Sequence, residues 1–286
     1  NNPVLNAPPN GLGQVSSQGQ FMQIAPVIAY TLNEKWSVAV GPTITTGEVQ
    51  LDPFVLASAN GDGNYANGRS SKYAWGGGIQ AGVYYIANAN WRFGSSFKST
   101  SWMEDFQFFG EYEDGLPRRM SANIDLPMIL SIGTSYSGWE NTIIALDVRY
   151  FDYGNTAGFG DPAVFDGTGR LGGLDWSSIM SVALGCQRKF TDLCTGRIGY
   201  TFNENPVRNS EAFYNIATPL IYEHMLSLGG SLTPNENVSF NVGYSYLFEN
   251  TRTGQVIWPG VGAIQGSRLS NTLSGHFLSF GISMSH

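Results

Sequence analysis

The sequence predicts an all-β chain folded as an antiparallel up-and-down transmembrane β-barrel. Three observations predict it. Hydrophobic residues recur with a period of two, short and long connections alternate along the chain, and aromatic residues gather at both ends of the apolar strand face. Of 286 residues, 42% are hydrophobic and only 13% charged, against about 25% charged in ordinary soluble domains. An aromatic content of 13% excludes intrinsic disorder, which needs few aromatics and more net charge. A helical membrane protein is excluded too, because no run of roughly 18 apolar residues exists and mean hydropathy is -0.12. A net charge of -7 argues against a nucleic-acid partner.

The period is plainest in Val238-Ser239-Phe240-Asn241-Val242-Gly243-Tyr244-Ser245-Tyr246, where even residues are apolar and odd ones small or polar. Alternate side chains of a strand point to opposite faces. The same rule marks about eleven segments, near 20–31, 36–49, 73–86, 91–103, 119–137, 142–153, 176–190, 195–206, 222–233, 238–249 and 274–285. Short Asn- and Gly-rich connections follow every other strand: Leu32–Lys35, Ala87–Asn90, Gly138–Asn141 and Pro234–Asn237. Their residues suit tight hairpins. Long Gly/Asp/Asn-rich connections lie near 50–72, 104–118, 154–175, 207–221 and 250–273. Strict alternation puts every short turn at one end, as in a barrel with periplasmic turns and outer loops.

The two strand faces separate a membrane barrel from a soluble sandwich. A soluble sheet would carry ions on its second face; here that face is Gly, Ser, Thr, Asn and Ala, as a crowded or wet lumen requires. On the apolar face, Tyr30, Trp36, Tyr85, Trp91, Tyr136 and Phe190 lie near the short turns. Tyr73, Trp75, Trp176, Phe202, Tyr222 and Phe248 lie near the long loops. Two such bands are the aromatic girdles of a transmembrane barrel. Single-chain barrels usually have an even strand count, and an open edge in lipid is prohibitively costly. The odd count therefore predicts that strands are absent on the N-terminal side, with residues 1–20 an outer loop and residues 1–286 a single barrel domain.

Several ordered segments resemble the FadL/TodX family of outer-membrane long-chain fatty acid transporters. They are Tyr30–Gly41; Gly78–Tyr85 with Trp91–Ser99; Leu126-Pro127 with Ile132–Tyr136 and Leu146–Tyr153; and Ile198–Tyr200 with Asn205–Val207 and His224–Gly229. The resemblance implies about fourteen strands, an even number, and an N-terminal plug called the hatch. Neither the hatch nor the first strands are visible here, and terminal His286 departs from the usual terminal aromatic of such barrels. It also implies passive uptake of hydrophobic molecules across the bacterial outer membrane. The ligand would pass from an apolar outer-loop groove to a lumen pocket, then leave sideways near a kinked strand.

Face parity points Arg92, Lys98, Arg149 and Arg197 into the lumen as candidate anchors for a ligand carboxylate, which Arg can hold bidentately. Asp125, Asp147, Glu223 and Glu249 point in as well, and bracing of the wall by Arg–Asp pairs is the alternative role, with Asp147 a partner for a neighbouring Arg. In the outer loops, Phe54 and Leu56 (with Leu51 and Val55), Phe106, Phe108 and Phe109, and Ile257 and Trp258 (with Val256) form apolar stretches. They either line an uptake groove or pack together to close the barrel top. Cys186 and Cys194 flank one short connection on outward parity; a disulfide there suits an oxidising periplasm, and free thiols are the alternative. His224 and His276 lie on the outward face. No catalytic set, metal-ligand spacing or cofactor motif occurs, so no enzyme, metal or cofactor is expected. The expected partners are a long-chain fatty acid or other lipophile, outer-membrane lipid and lipopolysaccharide, and an envelope protein or separate N-terminal fragment. Two other functions compete with hydrophobe uptake: a general porin for small polar solutes, and a structural subunit of an envelope complex.

Overall fold

A computed structural model of the chain describes residues 13–69, 71–112, 114–235 and 237–284. The wall opens with β1 (Ser16–Ile24), β2 (Ile28–Thr31), β3 (Trp36–Asp52), β4 (Ala74–Ile86), β5 (Trp91–Lys98) and β6 (Trp102–Met103). A hairpin of β7 (Phe106–Glu111) and β8 (Pro117–Ala122) stands apart from it. The wall continues through β9 (Ile129–Trp139), β10 (Thr142–Phe151), β11 (Ile179–Lys189), β12 (Cys194–Asn203), β13 (His224–Asn235) and β14 (Val238–Gly254). The small pair β15 (Ile257–Trp258) and β16 (Gly262–Ala263) precedes the last wall strand, β17 (Leu269–Met284).

Thirteen strands make one antiparallel sheet in which each strand pairs with its sequence neighbours in the wall. Because β1 and β2 both pair with β3, and β5 and β6 both pair with β4, the thirteen occupy eleven lanes, the number the periodicity predicts. Among the described residues, no hydrogen-bonded pair joins β1 or β2 to β17.

Local chemistry sets the short turns. Asn33 Oδ1 accepts the N–H of Lys35 and Trp36 at 2.9 and 3.0 Å. Asn88 repeats the device with Asn90 and Trp91 at 2.9 and 3.0 Å. Both are Asx turns, in which an Asn side chain stands in for backbone. The strands that leave these turns carry their aromatics outward. Trp36 and Tyr85 approach to 4.3 Å between ring centroids, Trp91 and Tyr136 to 4.8 Å, and Tyr136 and Trp139 to 5.5 Å. The result is one continuous aromatic belt over β3, β4, β5 and β9. Above it the outward face is exposed and apolar (Val38, Val40, Phe93, Ile132, Leu146, Leu184, Ile198, Leu228), while most of the buried hydrophobic side chains gather among the long connections.

The structure corrects the sequence reading at several places, among them the stretch 250–273, which contains the end of β14, the pair β15–β16 and the start of β17. The segment 119–137 is two elements: β8 leaves the wall to pair with β7, which lies inside a stretch read as loop. Of residues 1–20, Ser16–Gln20 belong to β1, and 1–12 lie outside the described residues, as does His286. Trp176 is no girdle residue; it is 2% exposed and donates its indole N–H to Asn215 Oδ1 at 2.5 Å. Asp147 has no ion-pair partner among the described residues; it faces Gly133 and Ala183 in the register. Finally, Cys186 and Cys194 are both free. Cys186 faces Ile198, four positions from Cys194 along β12, or about 13 Å of strand. A disulfide needs Cα atoms within about 7 Å.

Candidate functional site

The long connections fold over one end of the barrel and pack on one another. One cluster is built from Phe54, Ala66, Met103, Phe106, Phe108 and Met120. Phe54 and Phe108 lie 4.3 Å apart between ring centroids, and Phe106 meets Phe21 of β1 edge-on at 6.1 Å. A second cluster joins Phe213 and Val256 to Val15, Tyr214 and Ile257. A third joins Trp176, Val207 and Ile221 to Phe159 and Leu174.

Between these clusters lies a cavity of about 170 Å³. Its walls include Phe21, Leu51, Phe54, Leu56, Phe108, Phe159 and Leu171, with Tyr214 and Ala217 from the β12–β13 connection. Its polar side chains are Ser17, Gln18, Gln50 and Thr218, and none carries a charge. Burial, with Glu211 nearby, pushes the Tyr214 phenol up, so it too is neutral at physiological pH.

Of the loop residues singled out from sequence, Phe54, Leu56 and Phe108 line this cavity and Phe106 supports it. Phe109 lies on the opposite face of β7, half exposed, with Lys72 and Arg119 at 5.2 and 5.6 Å from its ring. Ile257 packs in the second cluster, and neither it nor Trp258 reaches the cavity.

The lumen below is lined by small residues and by the predicted cations. Arg92 lines a cavity of about 530 Å³ together with Asp147 and donates to Ser137 Oγ at 2.9 Å. Lys98 and Arg149 line an adjoining space of about 470 Å³ with Asp147, Gln80 and Val27. Arg197 lies elsewhere on the wall, bonded to Gln187 Oε1 at 2.7 Å and to Ser231 Oγ at 2.5 Å. None of the four forms an ion pair among the described residues. The inner ion pair of the wall is instead Arg252 with Glu223, at 2.5 Å. Asp125 is buried and accepts the N–H of Met103 at 2.7 Å, and Glu249 is exposed.

One feature of the wall escaped the sequence reading. The strand read as 20–31 is interrupted at Ala25–Val27, where the chain leaves the wall and folds inward. A Cβ at Gly41, whose open side faces the lumen, would lie 1.9 Å from the Pro26 carbonyl oxygen. The register is continuous across the break, with Ile24 facing Ile44 and Ile28 facing Val40. Pro26 and Pro42 therefore oppose each other, and neither has an N–H to give the ladder. The sequence signal was this pair of prolines in neighbouring strands, placed symmetrically about a short turn.

No group of three or more His, Cys, Asp or Glu side chains among the described residues is placed to hold a metal ion. His224 and His276 lie on the outward face, sharing hydrogen bonds with Tyr200 OH at 2.6 Å and Tyr244 OH at 2.8 Å.

Residues 12–285 match the family model described as outer membrane protein transport protein (OMPP1/FadL/TodX). No curated protein sequence matches the chain. Among solved structures, a Pseudomonas aeruginosa FadL homologue aligns with a TM-score of 0.72 at 15% identity, over 94% of this chain and 68% of that one. The Ralstonia pickettii toluene transporter TbuX gives 0.64 at 12% identity, over 94% and 69%. The P. putida toluene transporter TodX gives 0.62 at 12%, over 94% and 70%. At these identities the likeness is one of fold.

Proposed function

The chain belongs to the outer membrane protein transport family OMPP1/FadL/TodX, and we propose that within it this protein admits compact, neutral hydrophobic molecules across the outer membrane. The loop cavity is the first binding site, the lumen space beside Lys98 and Arg149 the next, and the inward fold at Ala25–Val27 marks the side exit. The observation that carries this reading is the cavity itself, apolar, uncharged and about 170 Å³. An apolar cavity of about 150 Å³ lined by Leu, Ile and Phe stays dry and takes up benzene. A single-ring hydrocarbon therefore fits within it, with each buried methylene or its equivalent contributing about 0.8 kcal/mol. A long acyl chain would have to project from it, and its carboxylate would meet no cation there.

The fatty-acid reading rests on a different observation. Lys98 and Arg149 face one lumen space with a single carboxylate, Asp147. Two cations against one acid favour an anionic head group, so a fatty acid would bind with its carboxylate in the lumen rather than at the loops.

Mass spectrometry of the purified protein in detergent, after incubation with equimolar toluene and palmitate, separates the two. Toluene retained at one per chain, and lost in Phe108→Trp, is the expected result. Tightly held fatty acid, insensitive to Phe108→Trp but lost in Lys98→Met, would replace the neutral ligand by the acid. Large stable conductance with neither ligand bound would make the protein a porin.

A further inference from the structure

Strand pairing does not hold Ala25–Val27 in its inward position. The ladder stops on both sides of it, and Pro26 and Pro42 lack the N–H groups that would continue it. Side chains from strands beyond β3 reach the segment instead. Gln80 of β4 donates its amide N–H to the Ala25 carbonyl at 3.3 Å. Lys98 of β5 donates to Gln23 Oε1 at 2.7 Å, just before the fold begins. The Gln23 amide donates in turn to Thr45 Oγ1 at 2.9 Å and Ser101 Oγ at 3.2 Å. Gln80 and Lys98 are themselves register partners across β4 and β5. One pair of facing residues thus holds both the fold and its outer hinge, bridging over β3 at the place where Gly41 leaves room.

Lys98 is suited to such a role. It has no carboxylate within ion-pair distance among the described residues, and a charged donor strengthens its bond to a neutral amide oxygen. Asp147 shares its lumen space but forms no ion pair with it, so the bond to Gln23 is the contact that positions the ammonium.

We propose that Gln80 and Lys98 are positioning residues for transport: together they latch Ala25–Val27 inward and so set the width of the side opening. The inference rests on reading that fold as the exit. Without the latch, the segment swings back toward β3, and Val27, which lines the lumen space, narrows the passage. The loop cavity contains neither residue, so first binding of a hydrophobe is left as it was.

The test is uptake of radiolabelled toluene by cells carrying the full chain, normalised to folded, heat-modifiable protein. In Gln80→Leu combined with Lys98→Met, the maximal rate is expected to fall roughly five- to ten-fold, with the half-saturating concentration unchanged. Lys98→Arg, which keeps a charged donor toward Gln23, is expected to recover most of the rate that Lys98→Met loses in a Gln80→Leu background. An unchanged rate per folded chain in the double variant, with only the folded amount reduced, would overturn the latch in favour of simple bracing. Val27→Trp, at a residue that lines the lumen space, obstructs the opening directly and separates the two levels. If it is blocked while the double variant is normal, the latch alone is wrong. If it transports normally, the side exit is wrong and the latch falls with it.

Discussion

Asp125 sits where the β8–β9 connection turns into the loop core, outside the membrane-spanning strands. Burial raises its pKa, and Asp105 and Asp161 nearby add to the rise, while the Met103 N–H it accepts works the other way. A carboxyl raised in the folded state binds its proton more tightly there than in the unfolded chain. It therefore lowers stability as pH climbs from the ordinary Asp range, about 3.9, through its folded value, and the loss persists above that. Asp125→Asn keeps an oxygen for Met103 and removes the charge. Its thermal midpoint should exceed wild type at pH 7, and the gap should close below about pH 4. An equal gap at both pH values would mean that the charge is not the cause. The two cysteines make a simpler demand. Strand register keeps them apart, so thiol titration of the unfolded, unreduced protein should give two thiols per chain, and a count near zero would place a disulfide across the turn. Sequence parity located both thiols on the outward face, but spacing along the chain says nothing about which residues end up opposite. Trp176 carries the same lesson, since parity places it on a face while its buried bond to Asn215 comes from a distant loop.

The β7–β8 hairpin has no strand pairing to the wall and is held mainly through Phe106 and Phe108, both almost fully buried. Removing a buried Phe costs about 3–5 kcal/mol, more than a hairpin held mainly by one cluster can absorb. In Phe106→Ala, trypsin should cut at Arg118 and Arg119 in intact protein while heat modifiability of the barrel stays at wild type. Loss of the folded barrel itself would show that the hairpin is part of the wall's stability. Most wall strands were readable from sequence because they repeat one rule, apolar out and small in, over eight or more residues. β7 and β8 were not, because their alternation aims at a local core and ends after six residues each. The interruption in the first wall strand was hidden for another reason. It consists of two prolines that matter only together, and their pairing is a property of register. The cavity was half visible: Phe54, Leu56, Phe106 and Phe108 stood out as hydrophobes without a strand to serve, whereas Phe159 and Leu171 reach it only through the packing of a different connection.

The molecule as a whole is inside out relative to a soluble protein. Its large exposed hydrophobes run from Tyr30 and Trp36 to Phe280 and Ile282 along the outward face, and its buried ones sit among the outer connections. Water would penalise such a surface, whereas lipid does not, and the aromatic belt fixes where the hydrocarbon layer ends. The belt lies at the short turns, so the long connections, the cavity between them and Asp125 belong to the opposite side. With periplasmic turns and outer loops, Gly167 in the β10–β11 connection is expected to face the medium and Ala89 in the β4–β5 turn the periplasm. Both are exposed, and a side chain at Gly167 would meet nothing within 4 Å. In a background where Cys186 and Cys194 are serine, Gly167→Cys should react with a membrane-impermeant maleimide on intact cells. Ala89→Cys should react only after the outer membrane is opened. The reverse pattern would invert the barrel and turn the apolar cavity toward the periplasm, where it could no longer receive hydrophobes from outside.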